Sequence, residues 1–434
     1  MDKALTILYN NSVVQKFVIH GPNKLEGEVN VSGSKNAALQ LIPATLLANS
    51  PSTITNVPDI LDIKNLLDII KMLGVKIDFK NNELTIDPTT LKSCELPEKL
   101  VGKLRASIML AAPLVNKFNR CQIPYPGGCV IGKRPLNYHF DAYRALGYKV
   151  TEEESSYKIE KGNLAGTTIN INFSVLATGN AIMAAVYAKG ETIIKLAACE
   201  PEVSILIEFL NGMGADIKWI DNHVVRVKGV TSLHGANIKN IPDRIEAGTF
   251  AIAAAACHSE IIINDFYQYH NDALLFKFKE ANVKYEIEEN NLHIKKGTFL
   301  KPVKIQTKEY PGFPTDLQAP FSIIMTQAEG ISEVFETIFE GRLGYLHELE
   351  KMGAKVIIKN SQFANIEGPT PLYGTHIESL DLRAGATLII AALTAQGEST
   401  IDNIDIIDRG YEGIEKKLVN LGANISRVTS TRHL

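Results

Sequence analysis

The chain has 434 residues, of which 45% are hydrophobic, and it carries 45 Lys and Arg against 48 Asp and Glu. This length exceeds the roughly 250–300 residues at which one hydrophobic core usually divides, so we expect two domains. The formal net charge of −3 provides no basic field, which argues against a nucleic acid or an anionic membrane as the main partner and leaves only local anion sites.

Cysteine usage and hydropathy indicate a reduced, aqueous compartment. The chain has five cysteines without a CxxC pair, Cys94, Cys121, Cys129, Cys199 and Cys257. They predict neither a disulfide framework nor a zinc site. Asn10 and Asn11 interrupt the short apolar run at the N-terminus, and no other apolar run reaches the about 18 residues needed to span a bilayer. We therefore expect a cytoplasmic protein with no membrane segment.

A helix followed by a hairpin is predicted between residues 63 and 86. Apolar residues recur there on one helix face, at Ile63, Leu66, Leu67, Ile70 and Leu73. Gly74 suits the left-handed conformation that often ends a helix. The alternation at 75–79 predicts a strand, and the two asparagines at 81–82 predict a turn into a second strand at 84–86.

The same pattern, a helix that ends at a glycine or an asparagine and is followed by a strand, recurs five more times along the chain. Its stops are Gly147, Gly214, Asn282, Gly353 and Gly422. Together with Gly74 they lie about seventy residues apart, too long a period for the common solenoid repeats. Chance similarity of helix ends is the alternative, and the even spacing disfavours it. Six units in a chain of two-domain length predict three units per domain, with sheets facing outward and amphipathic helices packed inside. The polar stretches at 31–36 and 240–248 are candidate crossings between the domains.

A cysteine in a glycine-rich segment is the first candidate for chemistry. Residues 125–139 read YPGGCVIGKRPLNYH, so Cys129 follows two glycines. The glycines indicate an exposed loop rather than a core position, and nearby cations would favour a reactive thiolate. The alternative for a lone cysteine is an inert small hydrophobe, and we keep that interpretation for the other four cysteines.

Nine motifs in order carry a family resemblance. They read VSGSKNAAL, KLRASI, PGGCVIGKRP, AACEPEV, IPDRIEAGTF, FPTDLQA, FEGRL, DLRAGA and IDRGYEGIEKKL. The chain resembles the enolpyruvyl transferases over almost its whole length from Phe17 onward. The resemblance implies an α/β fold, a two-domain inside-out α/β barrel with three βαβαββ units per domain, in agreement with the repeat. The expected division is 1–34 with 243–434 against an inserted domain, 35–242, that carries the cysteine loop.

The resemblance implies a reaction. It is transfer of the enolpyruvyl group of phosphoenolpyruvate to the 3'-hydroxyl of UDP-N-acetylglucosamine, with release of phosphate, in peptidoglycan precursor synthesis. This addition–elimination needs an acid, a base and cations, and we expect no metal and no other cofactor. The family's acid is the cysteine at the position of Cys129, which an epoxide inhibitor alkylates.

Asp316 is the candidate base. The flanking prolines Pro311 and Pro314 stiffen its approach, and we expect the apolar surroundings to raise its pKa when the cleft closes. The alternative role for an Asp at this place is to cap the N-terminus of a helix.

Phosphoenolpyruvate carries about three negative charges and therefore predicts a cluster of cations. The motifs carry six, Lys35, Arg105, Arg134, Arg342, Arg383 and Arg409. Each alone would more often be a solvated surface charge. By the resemblance, Lys35, Arg134 and Arg409 hold the phosphate and the carboxylate, the other three complete the lining, and Lys35 and Arg409 join Cys129 and Asp316 in the catalytic set. Since these residues come from both halves, we expect the site to form only when the domains close.

The acceptor site is also implied by the resemblance. Its positions are Asn36, Arg105, Arg134, Pro135, Leu136, Asn137, Ser174, Val175, Thr315, Asp316 and Ile338. Five residues depart from the family pattern, Asn137, Leu176, Cys199, Gly341 and Tyr345. Leu176 replaces a glycine that lets the backbone approach phosphate.

These departures leave three hypotheses open. The first is transfer to UDP-N-acetylglucosamine, the second is the same transfer to another uridine nucleotide such as UMP, and the third is an inactive nucleotide-binding homologue. The shikimate branch of the family lacks the cysteine loop and is disfavoured.

Overall fold

The computed structural model describes residues 12–127, 136–297 and 299–432, and within these ranges the strands form six sheets. In chain order the strands are β1 (Ser12–Gly21), β2 (Glu26–Asn30), β3 (Ser52–Thr55), β4 (Lys76–Lys80), β5 (Glu83–Asp87), β6 (Arg120–Pro124), β7 (Lys149–Glu152), β8 (Ser156–Glu160), β9 (Thr168–Asn170), β10 (Glu191–Lys195), β11 (Asp216–Asp221), β12 (Val224–Lys228), β13 (Asn237–Lys239), β14 (Glu260–Asn264), β15 (Lys284–Glu288), β16 (Asn291–Lys295), β17 (Lys304–Gln306), β18 (Gly330–Phe335), β19 (Lys355–Ile358), β20 (Phe363–Gly368), β21 (His376–Glu378), β22 (Gly397–Asp402) and β23 (Ile425–Arg432). The sheet orders are β21-β22-β1-β23, β15-β16-β14-β2, β17-β18-β20-β19, β13-β3-β5-β4, β11-β12-β10-β9 and β6-β8-β7.

The described residues also form α-helices. They are α1 (Lys35–Thr45), α2 (Leu61–Met72), α3 (Glu98–Val101), α4 (Ala111–Phe118), α5 (Asn137–Leu146), α6 (Val175–Ala185), α7 (Pro201–Gly212), α8 (Arg244–Ala256), α9 (Asp272–Glu280), α10 (Thr315–Gln327), α11 (Tyr345–Lys351), α12 (Leu382–Thr394) and α13 (Ile414–Asn420). Short 3-10 helices lie at Pro88–Thr90, Arg105–Leu110, Gln268–His270 and Ile404–Ile406. Helices α8, α10 and α12 pack against one another and are buried along almost their whole length. Such helices are apolar all round because they are covered on every side.

The six predicted helix stops are confirmed. Each stop stands one or two residues beyond a helix, and their φ angles lie between 63° at Asn282 and 102° at Gly214. A residue with a β-carbon is strained in this left-handed region, Asn less than most, so glycine or asparagine is needed at each stop. A strand follows every stop, namely β4, β7, β11, β15, β19 and β23.

The sixth unit is completed by the first described strand. Five stops lead into local hairpins, as β4 pairs with β5. Strand β23 instead pairs antiparallel with β1, in a register from Ser12↔Arg432 to Ile19↔Ile425. Strand β1 also pairs with β22 and is therefore an inner strand of its sheet.

Buried apolar side chains form two separate clusters. One joins residues 17–31 to residues 245–425, and we call this part of the molecule lobe A. The other lies within residues 37–233, and we call this part lobe B. The two lobes and the six repeats confirm the predicted inside-out α/β fold. Nowhere in the three described ranges is a helix both long and apolar enough to cross a membrane.

The polar stretches 31–36 and 240–248 lie along the chain between the residues of the two apolar clusters. The amide of Ser34 donates to the carbonyl of Ile241 at 2.7 Å, and the amide of Asp243 donates to the carbonyl of Ser32 at 2.8 Å, so the two crossings lie side by side. A β-carbon at Gly33 would collide with the backbone oxygen of Asn56, which explains the glycine there. The domain boundaries at 34/35 and 242/243 stay a prediction.

Candidate active site

A cavity of about 530 Å³ lies between the lobes and is lined by residues of both. First-turn residues of eight helices of the described chain, α1, α2, α5, α6, α7, α8, α10 and α12, contribute to its wall. The N-terminus of a helix presents amide groups without intrahelical acceptors and the positive end of the helix dipole. The cavity is therefore suited to anions, although the chain has a net charge of −3.

Most of the predicted site residues line this cavity. The cations among them are Lys35, Arg105, Arg342, Arg383 and Arg409, and the predicted acceptor positions are Asn36, Ser174, Val175, Thr315, Asp316 and Ile338. Three predicted residues, Cys129, Arg134 and Pro135, lie outside the described residues.

Two predicted acceptor residues do not line the cavity. Leu136 is 6% exposed and packs in the core of lobe B, and Asn137 is the exposed first residue of α5. Because successive residues of a helix point about 100° apart, the next two residues, Tyr138 and His139, are the ones that reach the wall.

Asp316 and two arginines form an ion cluster within lobe A. Asp316 is the second residue of α10, and its two carboxylate oxygens accept from Nη2 of Arg342 at 2.7 Å and Nη2 of Arg383 at 3.0 Å. Nη1 of Arg342 also donates to Oγ1 of Thr315 at 3.0 Å. The guanidinium of Arg383 stacks on the ring of Tyr411, 5.3 Å from its centroid. Both arginine side chains are almost fully buried.

This cluster corrects two expectations about Asp316. Pro314 is the N-cap residue of α10 and the Asp316 side chain binds the two arginines, so Asp316 does not cap the helix. Burial by itself raises the pKa of Asp316, but Arg383 and Arg342 outweigh it and hold the pKa well below its usual range. The prediction of a raised pKa is therefore wrong for this structure, because two cations adjoin the carboxylate where apolar surroundings were expected.

A second buried carboxylate, Asp62, joins two cations from different lobes. Its Oδ2 lies 2.8 Å from Nζ of Lys35, and its Oδ1 accepts from Nε of Arg409 at 2.8 Å. The Asp62 side chain is 2% exposed. Burial raises the pKa of this carboxyl group, but Lys35 and Arg409 outweigh burial and lower it. Asp62 is therefore ionised at neutral pH and bridges the two cations.

An acidic pair faces the cavity from the start of α7. Oε1 of Glu202 accepts from Nε of Arg244 at 3.2 Å. This Glu202–Arg244 ion pair is a second contact that joins lobe B to lobe A. Burial, with a smaller contribution from the charge of Glu202, raises the pKa of Glu200 to about 7. Close by, the thiol of Cys199 donates to the carbonyl of Tyr310 at 3.4 Å.

Of the five departures from the family pattern, only Leu176 lines the cavity. It stands in the first turn of α6, next to Ser174 and Val175. Tyr345 is 1% exposed, and its hydroxyl accepts from Nε2 of Gln318 at 2.6 Å, so it belongs to the core of lobe A. Gly341 is exposed and does not contribute to the cavity wall. The chain-specific changes therefore alter little of the wall described here.

Sequence reasoning did not single out Asp62, Glu200, Glu202 or Arg244. Asp62 is part of the helical segment ILDIKN and looks like an ordinary first-turn acid. The other three occur in the motifs AACEPEV and IPDRIEAGTF, which carried the resemblance without an assigned role. Their positions at the N-cap or in the first turn of the helices α2, α7 and α8 were the available signal. Among the residues that the structure describes, no group of His, Cys, Asp and Glu is placed to hold a metal ion.

Solved structures of known proteins have the same fold as this chain. The structure is similar to that of the enolpyruvyl transferase NikO from Streptomyces tendae, with a TM-score of 0.88 at 25% sequence identity, covering 96% of this chain and 100% of that one. It is also similar to EPSP synthase from Acinetobacter baumannii, with a TM-score of 0.73 at 20% identity, covering 95% of this chain and 100% of that one; this likeness concerns the fold alone.

Sequence comparison identifies the family. Residues 19–418 match the family model of EPSP synthase (3-phosphoshikimate 1-carboxyvinyltransferase). The chain is 43% identical to UDP-N-acetylglucosamine 1-carboxyvinyltransferase 2 of Bacillus subtilis (strain 168), over 96% of this chain and 98% of that protein. It is 45% identical to UDP-N-acetylglucosamine 1-carboxyvinyltransferase of Prochlorococcus marinus (strain AS9601), over 96% of this chain and 92% of that protein. The chain thus belongs to the EPSP synthase family of carboxyvinyltransferases and, within it, to the UDP-N-acetylglucosamine 1-carboxyvinyltransferases.

Proposed function

We propose that this enzyme transfers the enolpyruvyl group of phosphoenolpyruvate to the 3'-hydroxyl of UDP-N-acetylglucosamine and releases phosphate. The observation that carries the proposal is the cavity between the lobes, where helix N-termini and five predicted cations meet. A cavity of this kind suits two substrates that both carry phosphate. The relatives at 43% and 45% identity are named for this reaction, which forms a precursor of peptidoglycan.

Two groups of the cavity divide the substrates between them. Lys35 and Arg409 hold the phosphate of phosphoenolpyruvate, with Arg134 from the segment outside the described residues. The first turn of α6, where Ser174 makes no side-chain cap, offers open amide groups to the diphosphate of the nucleotide. Closing the lobes removes water from the cavity, and the ionic contacts are stronger there than in solvent.

Asp316 removes the proton of the acceptor hydroxyl. With Arg342 and Arg383 attached, its carboxylate is a weak base, since both arginines hold its pKa down. The carboxylate of phosphoenolpyruvate is a competing ligand for the same two guanidinium groups. Binding of this substrate therefore loosens the two ion pairs and makes Asp316 a stronger base only when the reaction partner is present.

The reaction proceeds in two balanced steps. In the addition, the acceptor oxygen bonds to C2 of phosphoenolpyruvate, its proton passes to Asp316, and C3 gains a proton from Cys129. In the elimination, C3 returns a proton to the thiolate of Cys129, the bond from C2 to the phosphate oxygen breaks, and the double bond forms again as phosphate leaves with the proton held by Asp316. The cations stabilise the departing phosphate, and no redox step is involved.

A second acceptor follows from one observation. Leu176 places a branched side chain at the first turn of α6, where a glycine would let a diphosphate approach the backbone. Another uridine nucleotide, such as UMP, is therefore the competing acceptor. With either nucleotide the enzyme works in the cytoplasm, without nucleic acid or membrane partners.

Phosphate release against a panel of uridine nucleotides tests the proposal. Purified enzyme with phosphoenolpyruvate should release phosphate with UDP-N-acetylglucosamine and be much slower with UMP. Release with UMP alone selects the second acceptor. Binding of nucleotides without turnover across the panel, beside an active control enzyme, would reject the transferase activity.

A further inference from the structure

We propose that Asp62 is a positioning residue that couples the closure of the two lobes to the assembly of the phosphate-binding cations. The inference rests on the proposed function, because it assigns Lys35 and Arg409 to the phosphate of phosphoenolpyruvate. Asp62 itself would not touch the substrate, since both its oxygens are directed to these two cations. It acts through them.

Asp62 lies between two cations that come from different lobes. Lys35 begins α1 in lobe B, whereas Arg409 follows the 3-10 helix 404–406 in lobe A. The Lys35 side chain is 11% exposed and that of Arg409 is 19% exposed, so neither cation is well hydrated. Without the carboxylate between them they would repel each other across the lobe boundary. With it, the two cations face one place in the cavity.

Hydrogen bonds of the backbone around Asp62 also join the two lobes. The amide of Leu61 donates to the carbonyl of Asp408 at 2.9 Å, directly beside the Asp62–Arg409 pair. Oε1 of Glu412 accepts from the amide of Asp59 at 3.1 Å and from Nδ2 of Asn82 at 2.9 Å. We call these bonds, together with the Asp62–Arg409 pair, the 59–62/408–412 contact. It joins the start of α2 in lobe B to the segment of lobe A that holds Arg409.

The ion pairs and the backbone contacts around Asp62 have one functional consequence. A cation that must bind a transferring phosphate has to be oriented before the reaction, and small displacements of such groups are costly. The 59–62/408–412 contact forms only when the lobes stand together. Asp62 thereby makes the orientation of Arg409 a consequence of closure. The opposite hypothesis is that Asp62 competes with phosphate for the cations, in which case its removal would tighten phosphoenolpyruvate binding.

The test compares the variant Asp62→Asn with the wild type in steady-state kinetics. We expect kcat/KM for phosphoenolpyruvate to fall by about 100-fold and KM for the nucleotide to change by less than about threefold. Asp405→Asn is the matched control, because it removes the same charge from an exposed position in the adjoining 3-10 helix. It should leave both constants unchanged. A wild-type kcat/KM in Asp62→Asn, or a higher one, overturns the proposal.

A double-mutant cycle separates positioning from a merely structural role. If Asp62 acts through Arg409, the variant Asp62→Asn/Arg409→Met should be hardly slower than Arg409→Met alone. A loss equal to the product of the two single losses would show that Asp62 acts independently of Arg409 and contradict the proposal. Should Asp62→Asn fail to fold, Glu412→Gln loosens the same contact from lobe A. It should lower kcat/KM for phosphoenolpyruvate by about tenfold, and an unchanged value would overturn the proposal.

Lobe closure can be measured without any turnover, which distinguishes this inference from the proposed function. In small-angle X-ray scattering of the enzyme with UDP-N-acetylglucosamine and without phosphoenolpyruvate, Asp62→Asn should have a larger radius of gyration than the wild type and Asp405→Asn. Superimposable curves would contradict the coupling even in an active enzyme. A wild type that is silent with every acceptor, but opens on substitution of Asp62, would reject the transferase activity and keep the coupling.

Discussion

The two buried carboxylates of the cavity differ in where their partners come from. Asp316 is held by Arg342 and Arg383, which belong with it to lobe A. Asp62 is held by Lys35 on one side and by Arg409 of the other lobe. The surroundings of the proposed base are therefore fixed by the folding of one lobe, whereas the proposed phosphate site depends on how the two lobes meet.

The largest expected effect concerns the base. Asp316→Asn should lower kcat by about 10³-fold, because the acceptor hydroxyl loses its proton acceptor. Nucleotide binding should change only a few-fold, since the shape of the side chain is kept. Steady-state kinetics and nucleotide titration calorimetry measure the two quantities. Asp272→Asn is the control, because Asp272 is an exposed first-turn acid of α9. An unchanged kcat in Asp316→Asn would remove Asp316 from the mechanism.

The second prediction concerns Cys129, the proposed proton donor, a role that neither Asp316 nor Asp62 has. Cys129→Ala should reduce turnover by about 10²-fold or more, because the proposed proton donor is lost. Thermal unfolding should be unchanged, and Cys94→Ala, at a partly buried free thiol, is the control. Intact mass after incubation with an epoxide inhibitor should show an adduct on the wild type and none on Cys129→Ala. Wild-type turnover in this variant would contradict the assignment.

The ion cluster within lobe A predicts a shift in the pH profile. Arg383→Met removes one of the cations that lower the pKa of Asp316, so that pKa must rise. Because the base acts when ionised, the acid limb of kcat/KM should move to higher pH. Arg383→Lys retains the charge and should shift the limb less. If the acid limb of both variants stayed at the pH of the wild type, Asp316 would not be the group that controls it.

The acidic pair Glu200 and Glu202 at the start of α7 predicts a smaller effect on stability. Glu200 has its pKa raised from 4.5 to about 7 by burial, and Glu202 adds to the shift. Between these pH values the folded state keeps a proton that the unfolded state has lost, so Glu200 reduces stability as pH rises through this window. Glu200→Gln should increase the free energy of unfolding at pH 8 by up to about 3 kcal/mol and leave it unchanged at pH 4.

Urea denaturation at the two pH values measures this difference. Glu208→Gln is the control, because Glu208 is an exposed acid on the same helix α7. If Glu200→Gln raised the free energy of unfolding equally at both pH values, the titration of Glu200 would not be the cause.

The smallest expected effect is on the acceptor. Leu176→Gly should lower KM for UDP-N-acetylglucosamine by about threefold at constant kcat, because it opens the first turn of α6 to the diphosphate. Leu176→Ala removes most of the side chain without adding backbone freedom and should have less effect. A tenfold rise of KM in the glycine variant would show that Leu176 contacts the acceptor favourably.

The sequence predicted the features that depend on local structure. Helix stops such as Gly74 and Asn282 need only a positive φ after an amphipathic helix, and all six are confirmed. The motif-borne cations were also predicted as a group, and five of them line one cavity. Positions near the start of a helix were less predictable. Asn137 was predicted at the cavity, but Tyr138, the next residue of α5, is the one that lines it.

Long-range pairing could not be predicted in this way. The partners of Asp316 lie 26 and 67 residues further along the chain. Sequence reasoning predicted both arginines as cavity cations but not their ion pairs with Asp316, which lower its pKa. Asp62 and Arg409 are 347 residues apart. Asp62 therefore looked like an ordinary first-turn acid, and only the packing of the two lobes shows its partners.

The most direct measurement is a crystal structure of the enzyme with UDP-N-acetylglucosamine and a non-reacting analogue of phosphoenolpyruvate. The account predicts the phosphate of the analogue within hydrogen-bond distance of Lys35 and Arg409, the acceptor 3'-hydroxyl within reach of Asp316, and Asp62 still bonded to both cations. An analogue bound away from these cations, or a hydroxyl remote from Asp316 in closed lobes, would contradict it.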